Sequence, residues 1–183
     1  MKNLKIFVLM IITCIFFACN SNSKNSATSA PEKNEVKVPE GPLAQKLYIN
    51  YHTNPQNVDQ VDENKLIEYA VSNNIDVTKS PSGLYYKISN VSDQPFYTGN
   101  SNVTAHYRGT TLDGKEFDSS YGRGEPMTFM PVQMITAWQE ALAMMNPGST
   151  ATLLVPSRLA YGKKGFPGYI DPDTPLIFTF ECM

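Results

Sequence analysis

Between Val103 and Gly109 the chain reads VTAHYRG, with Val103, Ala105 and Tyr107 alternating with Thr104, His106 and Arg108. A period of two puts one set on each face of a strand, so the segment predicts half-buried sheet with Tyr107 inward and His106 outward. After the Ser80-Pro81-Ser82-Gly83 turn signal, LYYKISNV predicts a further strand, as do TATLLVP and PLIFTFECM with their β-branched and aromatic residues. One helix interrupts them. In MITAWQEALAMMNPG the residues Ile135, Trp138, Leu142 and Met145 follow helical spacing, and Asn146-Pro147-Gly148 stops the run. Thr136 followed by Gln139 fits a capping box, which makes Thr136 the N-cap and leaves the Ile135 N–H in no obligatory helical bond.

Upstream, residues 43–75 turn helical, most clearly in DENKLIEYAVSNN, where Leu66, Ile67, Ala70 and Val71 share a face. Asp62 reads as the N-cap and Asn73-Asn74 as the stop. Such a helix packs on its own domain or serves as a partner surface. Residues 20–42 are rich in Ser, Asn, Lys and Pro with little to bury, and read as a disordered tether spanning about 25 Å.

The leader is more specific. MKNLK is followed by IFVLMIITCIFF, an apolar run of twelve residues. A membrane-spanning helix needs about 20, so this run with its basic start reads as a secretory signal over residues 1–18. Ala18-Cys19 resembles the cleavage site of bacterial lipoproteins, which implies a lipidated Cys19 and anchoring in the cell envelope, on the periplasmic side of the outer membrane. Cys14 then leaves with the signal, and Cys182 remains as a small apolar strand residue.

The net charge of −2, from 15 basic and 17 acidic residues, supplies no broad cationic surface, so nucleic acid is excluded as a partner. The stretch DGKEFDSSYGRG, residues 113–124, looks reactive but is not. It lacks the calcium-loop spacing, and Ser119 and Ser120 lack a nucleophile-elbow turn. His52 and His106 are the imidazoles beyond the leader, and no glycine-rich phosphate loop or HExxH occurs. Neither a metal nor another cofactor is expected. What the region holds in quantity is aromatic.

VTAHYRGTTLDGKEFDSSYGRGEPMTF, MITAWQEALAMMNPGSTATLLVPSRLAYG and PLIFTFE follow one another in the order and approximate spacing of FKBP-type peptidyl-prolyl cis-trans isomerases, over residues 82–181. With its leader, the chain resembles the FKBP-type lipoproteins of Bacteroidetes, including those associated with gliding motility. The resemblance implies an α+β fold, an antiparallel sheet of five to six strands wrapped around one short helix, at residues 81–183 behind a helical extension at 43–80.

The resemblance also assigns a site. Tyr107, Phe117, Trp138, Tyr161 and Phe178 match the family's pocket aromatics, with Trp138 as floor and Phe117 against the proline. Asp118 and Arg123 match its acid and arginine, and Ile135 and Tyr161 would donate to the substrate. Arg123, Met127, Phe129, Met134, Phe166, Tyr169 and Ile170 are the implied substrate-binding set. Phe166 stands where many members have His, and Asp171 replaces the usual first Pro of its turn. The implied protein is a monomer acting on proline-containing clients, with macrolide binding implied by the same pocket. The competing expectation is a proline-segment-binding or scaffold module of an envelope or gliding complex. Alanine at Phe117 or at Trp138 is expected to lower turnover with the fold retained.

Overall fold

The computed structural model describes residues 38–183, which run α1 (Pro42–Tyr48), α2 (Val58–Ser72), β1 (Thr78–Lys79), β2 (Tyr85–Ser89), β3 (Val103–Thr111), β4 (Glu116–Ser119), α3 (Ser120–Arg123), β5 (Met127–Phe129), α4 (Thr136–Leu142), β6 (Thr150–Val155) and β7 (Leu176–Cys182). The signal segment, Cys19 and most of the tether lie outside the described residues. Among those described, no helix is long and apolar enough to cross a membrane.

The strands form one antiparallel sheet in the order β1-β2-β6-β7-β3-β4, with β5 paired to β3. This is the α+β form expected, with seven strands instead of five to six because Thr78–Lys79 adds a short edge to β2. The alternation of β3 is realised as Val103, Ala105 and Tyr107 buried, with His106 only half-covered. β7 lies between β3 and β6, and its register lines up Leu153, Phe178 and Gly109 in one row and Ala151, Phe180 and Tyr107 in the next. Onto these rows α4 lays Ala137, Trp138, Ala141 and Leu142, closing the main core. Each large apolar side chain so buried contributes about 1.5–3 kcal/mol.

Ile135, not Thr136, occupies the N-cap position of α4, in an extended conformation and without a side-chain cap. Gln139 reaches back, but to the Met134 carbonyl (2.8 Å) and not to a threonine-capped backbone. The consequence anticipated for Ile135 still holds, since the residue at an N-cap keeps its own N–H outside the helical ladder.

The opposite face of the sheet carries the N-terminal helices. Leu47 of α1, Leu66, Ile67 and Ala70 of α2, and Val77 pack on Tyr85, Leu154 and Ile177. Because side chains alternate along a strand, Ile177 serves this second cluster while Phe178 serves the first. The helical region is two helices, and the N-cap of α2 is Asn57, whose side chain accepts from the Gln60 N–H at 3.0 Å. Asp62 is therefore not a cap: it sits inside the helix, in its second turn, fully buried. The expected stop is present, with α2 ending at Ser72 and Asn74 in the left-handed region at φ 52°. Glu63 fastens α2 to the sheet, accepting from the Tyr85 hydroxyl (2.7 Å), pairing with Lys79, and lying 2.9 Å from His52 Nε2.

Candidate active site

The strands and the start of α4 converge on a small cavity of about 160 Å³ lined by Tyr107, Phe117, Asp118, Met127, Met134, Ile135, Trp138, Tyr161 and Phe178. β3 supplies Tyr107, β4 supplies Phe117 and Asp118, β7 supplies Phe178, and the loop after β6 brings Tyr161. Drug-sized pockets run to roughly 300–1,000 Å³, so this one suits a single compact group.

The walls are built edge to face. Trp138 meets Tyr107 at a centroid separation of 4.9 Å and Phe178 at 5.3 Å, while Phe117 meets Phe178 at 5.7 Å with planes 88° apart. Such pairs are worth about 0.5–1.5 kcal/mol beyond their area and hold the rings at fixed angles. Gly109 makes room for this. A Cβ there would stand 2.6 Å from Phe117 Cζ and 2.8 Å from Phe178 Cε1. Sequence inspection missed Gly109; a glycine inside a strand pattern is the signal that marks such close approaches.

Polar groups line one side. The Tyr107 hydroxyl donates to Asp118 Oδ2 (2.5 Å), and Arg123 donates to Asp118 Oδ1 (2.6 Å) and to the Tyr107 oxygen (2.7 Å). Burial first, and then the Asp118 acceptor, push the Tyr107 hydroxyl up to about 12. Burial, followed by the Asp118 charge, also raises the pKa of Tyr161. Both phenols therefore keep their protons at neutral pH. Ser120, fully buried, accepts from the Tyr107 N–H at 2.8 Å and so fixes the backbone of the pocket wall.

Two donors stay free. Among the described residues none accepts a hydrogen bond from the Ile135 N–H or from the Tyr161 hydroxyl, although both residues line the cavity. The Trp138 indole N–H is also buried without a partner.

The remaining expected residues divide. Met127 and Met134 line the cavity, and Arg123 stands beside it through Asp118. Phe129 lies behind Trp138, buried, with centroids 5.4 Å apart, and Ile170 is a core residue at 5% exposure; neither lines the cavity, because their side chains point into the main core. Phe166 and Tyr169 are exposed and continue a stack outward from Tyr161, at 5.6 and 5.1 Å. Trp138 belongs to the core as much as to the pocket, at 5% exposure. Truncating such a residue to alanine costs about 3–5 kcal/mol, a large share of the roughly 5–15 kcal/mol that holds a domain folded, so Trp138→Ala lowers stability as well as reshaping the pocket.

The model of the FKBP-type peptidyl-prolyl cis-trans isomerase family matches residues 95–183. The crystal structure of AtFKBP13 superposes with a TM-score of 0.53 at 35% identity, covering 57% of this chain and 94% of that one. The chain belongs to the FKBP-type isomerase family. Among curated relatives, the peptidyl-prolyl cis-trans isomerase Mip of Coxiella burnetii is 45% identical over 97 residues, covering 53% of this chain and 42% of its own length. The outer membrane protein MIP of Legionella longbeachae is 44% identical over 103 residues, covering 56% and 44%. The chain thus spans less than half the length of these curated relatives, and the residues matched by the family model include every residue that lines the aromatic cavity.

Proposed function

We propose that this protein catalyses cis-trans isomerisation of X-Pro bonds in polypeptides. The observation that carries the proposal is the pairing of an aromatic bowl with two uncommitted donors, the Ile135 N–H and the Tyr161 hydroxyl, on its lining residues. Rotation about the X-Pro bond crosses a barrier of about 18–20 kcal/mol, set by amide resonance, and breaks no covalent bond. The protein therefore needs no nucleophile; it needs to hold the twisted amide more tightly than the planar one.

The residues suit that task. Trp138, Phe117 and Phe178 grip the proline ring, and the bowl removes water from the amide, whose charge separation falls as it twists. The Ile135 N–H and Tyr161 hydroxyl then hold the flanking carbonyls. Asp118 and Arg123 polarise the edge, and exposed Phe166 and Tyr169 extend the contact surface toward larger ligands, macrolides included.

The setting we propose is the cell envelope, with Cys19 lipidated, the clients being envelope proteins, and a gliding-motility assembly as one context. The basic, apolar leader and polar tether support it, as does similarity to a relative named as an outer membrane protein.

A cis-to-trans assay on short X-Pro peptides with varied X tests the activity. Wild type should accelerate interconversion, and Phe117→Ala should lose about ten- to a hundredfold, corresponding to 1.5–3 kcal/mol of lost apolar contact. Peptide binding without acceleration would instead identify a proline-segment-binding module.

A further inference from the structure

Asp62 lies in the second turn of α2 with 0% of its surface exposed. An acid in such a place is costly unless its oxygens find donors. Oδ2 accepts from the Ser157 backbone N–H at 2.8 Å, across 95 residues of sequence. Oδ1 is buried with no partner. Burial raises the carboxyl above its ordinary value, against the opposing pull of Ser157 and the nearby Lys65, with Asp173 adding to the rise. The adhesion of α2 does not explain this acid, because Leu66, Ile67 and Ala70 already hold the helix on the sheet.

What Asp62 touches is the foot of the pocket loop. Ser157 opens a tight turn in which Leu159 N–H donates to Pro156 O (3.0 Å) and Ala160 N–H to Ser157 O (2.9 Å). Leu159 is anchored in the main core, and Tyr161 follows two residues later. Where Ser157 sits therefore sets where Tyr161 sits. A second contact runs from Asp59 of α2 to Arg158 Nε at 3.4 Å, but its partners are 58% and 41% exposed, and such pairs contribute little. Of the two ties from α2 to this loop, the buried one from Asp62 is the stronger, and it acts alongside the core anchor at Leu159.

We infer that Asp62 is a positioning residue for Tyr161: through the Ser157 N–H it sets the loop that carries the pocket hydroxyl, and so couples the N-terminal helices to the site. Its activity readout rests on the isomerase function proposed above; its geometric readout does not.

The test compares wild type with Asp62→Leu and Asp62→Asn, each held well below its own unfolding transition. Asn keeps a carbonyl acceptor for the Ser157 N–H and drops the charge; Leu fills the space and removes the acceptor. Displacement of a group that binds the reacting amide is costly, so Asp62→Leu should lower kcat/KM on X-Pro peptides about tenfold, with Asp62→Asn within about twofold of wild type. In aromatic NMR spectra the Tyr161 ring signals should move in the Leu variant and return in the Asn variant, while those of Phe117 stay in place. Wild-type turnover and unshifted Tyr161 signals in Asp62→Leu would overturn the inference, as would equal losses in both variants. Absence of turnover in wild type would sink the isomerase function, and the Tyr161 signals would still decide the positioning role. Should Asp62→Leu not fold, Ser157→Pro removes the same donor at a first-turn position that accepts proline, with the same expected shift of Tyr161.

Discussion

Tyr107 gives its hydroxyl proton to Asp118 across 2.5 Å, whereas Tyr161, lining the same cavity, gives its own to no described residue. One phenol is part of the wall, and the other is available to a ligand. Tyr161→Phe should therefore lower kcat/KM about two- to tenfold, as expected for one hydrogen bond of 0.5–1.5 kcal/mol, with the unfolding midpoint unchanged. A peptide isomerisation assay paired with thermal unfolding checks both halves.

Asp118→Asn should separate activity from stability. Asp118 and Arg123 are 43% and 46% exposed in their side chains, so their pairing contributes less than about 1 kcal/mol to folding. The variant leaves Arg123 without its anionic partner beside the pocket, and turnover should fall several-fold. Denaturant midpoints equal to wild type alongside reduced kcat/KM are the expected pattern.

Gly109→Ala should disturb the pocket from beneath. The added Cβ meets Phe117 and Phe178 closer than 3.0 Å, and overpacking of this kind costs about 1–3 kcal/mol. Phe117 is half-buried and has room to yield toward the cavity. A crystal structure of the variant should show that ring displaced into the cavity, with peptide isomerisation reduced more than stability.

The stability of the protein should respond to pH in opposite senses at two neighbouring acids. Asp62 has a folded-state pKa raised above its ordinary 3.8 by burial, so its contribution is fully present below 3.8 and lost as pH rises through the raised value. Burial also opposes the ionised form of Glu63, but hydrogen bonds from Lys79, His52 and Tyr85 outweigh it and hold the pKa below the ordinary 4.5; its contribution is present above 4.5 and lost as pH falls through the lowered value. Asp62→Asn should thus unfold at a higher temperature than wild type at neutral pH, with the difference shrinking in acid. Glu63→Gln should unfold lower at neutral pH, its deficit also shrinking in acid. Thermal unfolding from neutral pH down to about pH 3 measures both.

Local periodicity made β3, β7 and α4 readable, because the positions that alternate or recur are the ones that the sheet and helix bury. The pocket was legible through motif resemblance and not through chemistry, since aromatic residues in a site and in a core look alike one at a time. Phe129 and Ile170 show the limit: the motif resemblance placed them at the site, but their side chains belong to the core. Asp62 was misread as a cap because an acid just ahead of an apolar helical run is what a cap looks like. Its actual partner is the Ser157 N–H, which no local window contains. Asn57, five residues before the expected cap at Asp62, carries the cap instead.

Trp138 is the one tryptophan of the chain. It forms the floor of the cavity, ringed by Tyr107, Phe129, Phe178 and Phe180 at 4.6–5.4 Å. The protein therefore carries its own optical probe at the place of greatest interest: indole fluorescence needs no label, comes from a single indole that red-edge excitation selects from the ten tyrosines, and responds to a ring laid against it. Titrating unlabelled proline peptides while following that emission would give dissociation constants directly, and the same emission would red-shift on exposure of the core, so occupancy and unfolding are separable by wavelength in one cuvette.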